Sequence, residues 1–198
     1  ESLEDVMPSY WGRFIYDGKR ICIPYSSSVP VLYYNADLFN EYGIEPPASF
    51  ADIPAAARAL TLDTDGDGNT DIYGFNFNSD TPWYIQAWAW DSGANVVISE
   101  SEVSVDNEGY RTVFETIKQM VHTDKSMPAN QHNTGLDDFI NGYTAMFTTS
   151  SANLQQIMSE CDFTLGVAPL PGKWTILGGN SLGLFASDDE KEMEASVR

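Results

Sequence analysis

The sequence predicts an α/β fold. Short runs rich in β-branched and aromatic residues, RICIPY and VLYY among them, alternate with segments of helical period. The longest such segment, residues 106–124, places Val113, Phe114, Ile117, Met120 and Val121 on an i, i+4, i+7 stripe. Proline and glycine punctuate the joints.

Taken in order, residues 20–25 and 31–34 read as extended, split by the polar turn Ser26-Ser27-Ser28. A short helix over 36–42 is stopped by Gly43. Pro46-Pro47 resets the chain, and Ser49 is placed to N-cap an Ala-rich helix over 50–60. Residues 63–74 form a loop. The run WYIQAWAWD, residues 83–91, is helical, with Trp83, Ala87 and Trp90 near one face and Trp88 turned partly away from it. Further helices are expected over 135–141 and from a cap at Ser150 or Ser151 to about Glu160. Strands are expected over 145–148 and 163–168, the latter closed by Pro169 and Pro171. Residues 181–186 read as extended, and Asp188 as the N-cap of a last helix. That helix has no C-cap and the chain does not open on Met, so the sequence reads as a piece of a longer protein. Such a piece is expected to expose apolar surface or to self-associate over it.

With 198 residues, 42% of them hydrophobic and 13% aromatic, the chain has ample material for a packed core. Its charge of −19 repels phosphate backbones and anionic head groups, which excludes nucleic-acid and membrane-surface binding as leading functions. No run of 18 apolar residues and no signal-peptide pattern occurs in it. Cys22 and Cys161 have neither metal-ligand nor redox spacing, and their apolar contexts favour small buried hydrophobes over a disulfide.

Three segments invite a chemical reading. Asp63, Asp65, Asp67, Asn69 and Asp71, with Gly68 at the sharp turn, match the first nine positions of an EF-hand-type loop. Their carboxylates repel one another unless a cation sits among them, so the loop is either a weak structural Ca2+ site or a solvated turn. Position 12 is Gly74 where a bidentate Glu is wanted. The motif Gly179-Asn180-Ser181-Leu182-Gly183 fits the G-x-S-x-G elbow of serine hydrolases. An extended pattern follows it, however, and both histidines, His122 and His132, precede it, so the match is read as accidental. Neither His has partners that suggest catalysis, and no carboxylate pair can be singled out as acid and base. The third feature combines Trp83, Trp88 and Trp90, tyrosines 25, 33 and 34, serines at 26–28 and 150–151, and Gly178-Gly179. Aromatic faces beside hydroxyl and backbone donors suit a polyhydroxylated ligand. Taken singly, each aromatic is better explained by the core.

The run IPYSSSVPVLYYN, residues 23–35, followed by Asp37-Leu38-Phe39 and Tyr42-Gly43-Ile44, resembles the signature stretch of extracellular solute-binding proteins that feed carbohydrate-type ABC importers. Further matches are Pro46-Pro47, Tyr73-Gly74-Phe75, FINGYTAM at 139–146, Ser150-Ser151, GVAPLPG at 166–172 and GGNSL at 178–182. The pattern is similar to the branch that contains glycerol-3-phosphate binding proteins and their sugar-binding relatives.

The resemblance implies two α/β lobes joined by crossing strands, with solute held between them. The sequence would then supply mostly the second lobe of a type II periplasmic-binding-protein fold, a mixed sheet flanked by helices, with pieces of the first. Residues 1–22 would be the tail of lobe one and hinge approach, 23–163 lobe two, and 164–198 the return crossing. Ligand-binding positions carried over are Tyr25, Ser26, Ser27, Ser28, Trp83, Ser150, Ser151, Gly178 and Gly179. The implied role is non-catalytic and requires no cofactor: capture of a sugar, or alternatively of glycerol phosphate, outside the cytoplasm for delivery to permease subunits. Only Lys173 lies near these segments in sequence, and together with the acidic balance this favours an uncharged mono- or oligosaccharide.

Overall fold

The computed structural model describes residues 6–79, 83–99, 101–129 and 135–197. Backbone contacts divide the chain into two units, Glu1–Ser28 with Leu177–Arg198, and Val29–Ile176. In chain order the elements are α1 (Pro8–Trp11), β1 (Ile15–Tyr16), β2 (Lys19–Arg20), β3 (Ile23–Pro24), β4 (Pro30–Asn35), α2 (Ala36–Tyr42), α3 (Ile53–Ala59), β5 (Asn76–Phe77) and α4 (Trp83–Asp91). They continue with β6 (Val97–Ser99), β7 (Glu102–Val103), α5 (Glu108–His122), α6 (Gly135–Ile140), β8 (Met146–Ser150), α7 (Leu154–Glu160), β9 (Leu165–Pro169), β10 (Ser181–Leu182) and α8 (Glu190–Val197).

The larger unit is a mixed four-stranded sheet in the order β5-β8-β4-β9, with β4 antiparallel to both neighbours and β5 parallel to β8. Both faces are covered, which is why VLYY is apolar without alternation. Leu32 faces a core containing Phe39, Phe50, Ile53, Trp88, Val113 and Met120. Its neighbour Tyr33 faces a second core with Phe139, Ile140, Phe147 and Ile157. The fold is therefore the helix-flanked α/β lobe that the sequence led us to expect.

Local signals explain the junctions. At the start of α2 the Asn35 side chain accepts from the Asp37 and Leu38 N–H groups at 3.0 and 3.2 Å, and the helix ends on Gly43 in the left-handed region. Ser49 bonds Asp52 through its N–H and hydroxyl, but the following segment starts as a 3-10 turn, Phe50–Asp52, before α3. Pro54, in the first turn of α3, is tolerated because no N–H is needed there. The last helix is capped by Asp189 rather than Asp188: the Asp189 carboxylate accepts from the Lys191 N–H at 2.9 Å.

Two expectations about helix faces are corrected. Trp88 is fully buried, stacked on Phe50 at 4.9 Å and edge-on to Phe77 at 5.8 Å. The helix α4 that carries it is buried nearly all round, at Tyr84, Ile85, Ala87, Trp88 and Ala89, so it has no single apolar face. On α5, Phe114 is exposed and stacks on Tyr110 at the edge of the stripe, while Val113 and Met120 are buried.

The smaller unit buries only Trp11 and Phe14 among its described hydrophobic residues. Its strands pair as β1 with β2 and β3 with β10, both antiparallel. Exposed apolar side chains are frequent there, with Phe185 95% exposed and Ile21, Ile23, Leu182 and Leu184 also open to solvent. Cys22 and Cys161 are free thiols, each half-buried.

Candidate functional site

In the larger unit the strand directions gather several candidate residues at one end of the sheet. β5 and β8 run parallel, so their carboxyl ends coincide; antiparallel β4 begins at that end and β9 finishes there. Ligands of open α/β sheets bind outside such carboxyl ends. Ser150 and Ser151 stand here, both half-buried. The Val29 N–H donates to Ser151 Oγ at 3.1 Å, and the Ser151 N–H donates to the Val29 carbonyl at 2.8 Å. From the sheet interior the Tyr33 hydroxyl donates to the Ser150 carbonyl at 3.0 Å. Burial, with the Tyr84 phenol second, pushes the Tyr33 pKa up to about 12.

Trp83 opens α4 and is half-buried against the main core, edge-on to Tyr84 at 5.0 Å. Tyr84 in turn lies 3.5 Å from Thr149 Oγ1, which accepts from Asn153 Nδ2 at 2.9 Å. The helix start that carries Trp83 is thus tied to the strand end that carries Ser150 and Ser151. Sequence reasoning missed Tyr84, Thr149 and Asn153; their only signal was adjacency to the singled-out Trp83 and Ser150. It also missed Trp174, 56% exposed and edge-on to Trp90 at 6.5 Å. Asp91, at the end of α4, accepts from the Lys173 N–H at 2.9 Å, and a Cβ on Gly172 would sit 1.9 Å from that carboxylate. A groove of about 530 Å3 runs past Val31, Val167, Lys173 and Trp174. Of the tyrosines singled out in the sequence, Tyr33 is wholly buried, and Tyr34 packs on Phe39 at 4.6 Å. Both are core residues.

In the smaller unit, residues 25–28 pair with 178–180. The Tyr25 N–H donates to the Asn180 carbonyl at 2.9 Å, and Ser28 and Gly178 exchange backbone hydrogen bonds at 3.3 and 2.7 Å. Ser26 Oγ accepts from the Asn180 N–H at 3.2 Å, and Arg13 donates to the Leu177 carbonyl at 3.0 Å. Gly179 is required: its φ is +113° and a Cβ would lie 2.1 Å from the Ser26 carbonyl oxygen. Tyr25, Ser26, Ser27 and Gly179 are exposed, while Ser28 and Gly178 are half-buried.

The acidic loop brings carboxylate oxygens of Asp63, Asp65 and Asp71 within 4.8 Å of one another. Asp67 is outside that cluster; its two oxygens accept from the backbone and side-chain N–H groups of Asn69 at 2.7 and 2.9 Å. Asp63 accepts from Gly66 and Gly68, and the Thr64 hydroxyl and N–H hold Asp71 below the usual carboxylate range. The departure at position 12 has a steric cause. A Cβ on Gly74 would meet the Ala57 carbonyl at 1.8 Å, so no Glu fits there.

Ser181 sits in β10 opposite Pro24, exposed, and no helix follows it before α8, unlike a nucleophile elbow. His122 ends α5, and His132 lies outside the described residues.

A helix-flanked mixed sheet of this order, with hydroxyl and aromatic side chains at its strand ends, is an α/β lobe. The sequence pattern of the bacterial extracellular solute-binding protein family matches residues 1–198, and the chain belongs to that family. The sn-glycerol-3-phosphate-binding periplasmic protein UgpB of Brucella abortus is 26% identical over 194 residues, covering 88% of this chain and 43% of its own length. The GacH receptor of Streptomyces glaucescens, solved unliganded and with acarbose, superposes with TM-score 0.78 at 25% identity, covering 100% of this chain and 52% of its own. UgpB of Mycobacterium tuberculosis, solved with glycerophosphocholine, gives TM-score 0.80 at 20% identity over 98% of this chain and 51% of its own. The chain thus spans 43% of the length of the Brucella relative and about half the length of these two solved proteins.

Proposed function

We propose that the whole protein is the non-catalytic solute-binding component of an ABC importer and captures a neutral mono- or oligosaccharide outside the cytoplasm for delivery to permease subunits. The observation that carries this reading is the end of the sheet where Ser150, Ser151 and Trp83 are tied together through Tyr84 and Thr149. Hydroxyl groups beside an indole suit sugar hydroxyls and the C–H face of a sugar ring. Lys173 is the one cation among the described residues lining the cavities at this end. A phosphate needs more fixed positive charge than that. Tyr25, the Ser26 to Ser28 turn and Gly178-Gly179 are proposed as ligand contacts of the smaller unit.

A second reading, glycerol 3-phosphate or its diesters, is favoured by the similarity to UgpB. Calorimetry of the full-length protein against neutral sugars, glycerol 3-phosphate and glycerophosphocholine separates the two. Saturable heat with a sugar alone is expected. Binding of the phosphate compounds alone would overturn the sugar reading, and ester turnover abolished by Ser181→Ala would overturn the non-catalytic one.

For the acidic loop we propose a structural Ca2+, on the support of the Asp63, Asp65 and Asp71 cluster. Ligand capture is not expected to depend on it.

A further inference from the structure

Trp174 stands in the loop that follows β9, at the end of the sheet that also carries Ser150 and Ser151. It is 56% exposed, whereas Trp83 and Trp90 are half-buried and Trp88 is fully buried. Exposure alone says little, since single apolar side chains are common on protein surfaces. What distinguishes Trp174 is how firmly its loop is held. The Gly172 N–H donates to the Ala48 carbonyl at 3.0 Å, and the Lys173 N–H donates to both carboxylate oxygens of Asp91 at 2.9 and 3.0 Å. The Trp174 ring meets Trp90 edge-on at 6.5 Å. Neighbouring residues at the end of α4 therefore hold both the ring and the backbone that carries it. An aromatic side chain fixed in advance loses little freedom when a ligand stacks on it.

An edge-on pair engages at most one face of each ring, so Trp90 leaves a face of the Trp174 indole open. That indole lines the groove of about 530 Å3 together with Val29, Val31, Val167, Lys173 and Thr175, all of them in the larger unit. The volume falls within the range of about 300 to 1,000 Å3 of small-molecule sites. Its walls are mostly aliphatic, and the exposed side chains of Lys173 and Thr175 bring an ammonium and a hydroxyl to either side of the indole in sequence. Val29 joins the groove to the serine turn. It lines the groove, and its N–H and carbonyl are hydrogen-bonded to Ser151 Oγ and the Ser151 N–H at 3.1 and 2.8 Å. A ligand held at Ser151 has the groove beside it. An indole face with a few hydroxyl-binding groups around it suits a pyranose ring, whose C–H face is apolar and whose rim is polar.

We propose that this groove is a second sugar subsite beside Ser150 and Ser151, in which Trp174 is the stacking platform for a further ring of a neutral oligosaccharide and Lys173 and Thr175 bind its hydroxyls. The proposal rests on the sugar-binding reading and narrows it from a mono- or oligosaccharide to a chain of at least two rings. Asp91 is a positioning residue in this arrangement, acting through the Lys173 backbone.

The test is calorimetry of the full-length protein with glucose, maltose and maltotriose, repeated on Trp174→Ala and Trp174→Phe. Affinity is expected to rise about tenfold or more from glucose to maltotriose. Trp174→Ala should weaken maltotriose binding about tenfold and change glucose binding less than about twofold, while Trp174→Phe, which keeps a ring, should retain most of the rise. An unchanged melting temperature shows that each variant is folded, as expected for an exposed position. A rise that survives Trp174→Ala, an equal loss on glucose, or no rise with chain length overturns the subsite and leaves sugar capture standing. The groove then belongs to another occupant, a protein segment or a second copy of the chain. No heat from any of the three sugars overturns the subsite together with the capture of this sugar series.

Discussion

Tyr33 couples the sheet interior to the serine turn. Its ring is buried and its hydroxyl donates to the Ser150 carbonyl, so ionisation removes a donor and places a charge in the core. A folded-state pKa near 12 against about 10 in the unfolded chain has a definite sign. The contribution is fully present below pH 10 and is lost as pH rises from 10 to 12. Tyr33→Phe should therefore show a shallower loss of stability over that interval, measured by urea unfolding at stepped pH. Identical alkaline limbs in the two proteins would contradict the assignment. Trp83 belongs to the same scale. Trp83→Ala in the full-length protein should weaken sugar binding by roughly 1 to 3 kcal/mol, as aromatic truncations at contact sites do, and an unchanged dissociation constant would remove Trp83 from the site. The sequence set Trp88 apart from Trp83 and Trp90 but did not show that Trp88 is the buried one, because period alone separates faces of a helix only when one face is wet. In α4 the surroundings on every side are protein, so which indole reaches the surface depends on Phe50 and Phe77, residues far away in sequence.

Elements were legible where their signals are local. The asparagine and glycine that bracket α2, the period of α5 and the proline after β9 act within one turn of the helix or strand they bound. Strand order was not legible, because β5 joins β8 and β9 joins β4 through pairings remote in sequence. The expected boundary between lobes fell before residue 23 and after residue 163, whereas contacts divide the chain after Ser28 and after Ile176. Strand β9 accounts for part of the difference, since its whole length pairs with β4 and stays with the larger unit. The corrected face of α5 gives a direct test. Met120 is fully buried and Phe114 is 54% exposed. Met120→Ala should cost about 2 to 5 kcal/mol through lost burial and a residual cavity, while Phe114→Ser should stay within about 0.5 kcal/mol, the range of ordinary surface changes. Equal costs in thermal or urea unfolding would mean that α5 presents a different face to the core.

At the scale of the whole molecule, charge is the dominant long-range term. A net −19 on 198 residues opposes compaction, and salt shortens the reach of that repulsion to about 10 Å at 0.1 M. The melting temperature should therefore rise with sodium chloride through general screening, an effect that any monovalent salt reproduces. Calcium has a second, specific route if the three carboxylates of Asp63, Asp65 and Asp71 converge on one ion, since binding to the folded state alone adds RT ln(1 + [L]/Kd). Without a Glu at position 12, affinity should fall in the weak range of about 10⁻⁴ to 10⁻³ M. At about 10 mM calcium chloride that gives roughly 1.4 to 2.7 kcal/mol beyond the effect of sodium chloride at equal ionic strength. Asp65→Asn should erase the excess while keeping the screening response, because it removes one ligand charge of the loop and leaves −18 on the chain. Equal melting temperatures in the two salts would make the loop a solvated turn, and loss of sugar binding on chelation would mean that the ion acts on the ligand site as well as on the fold.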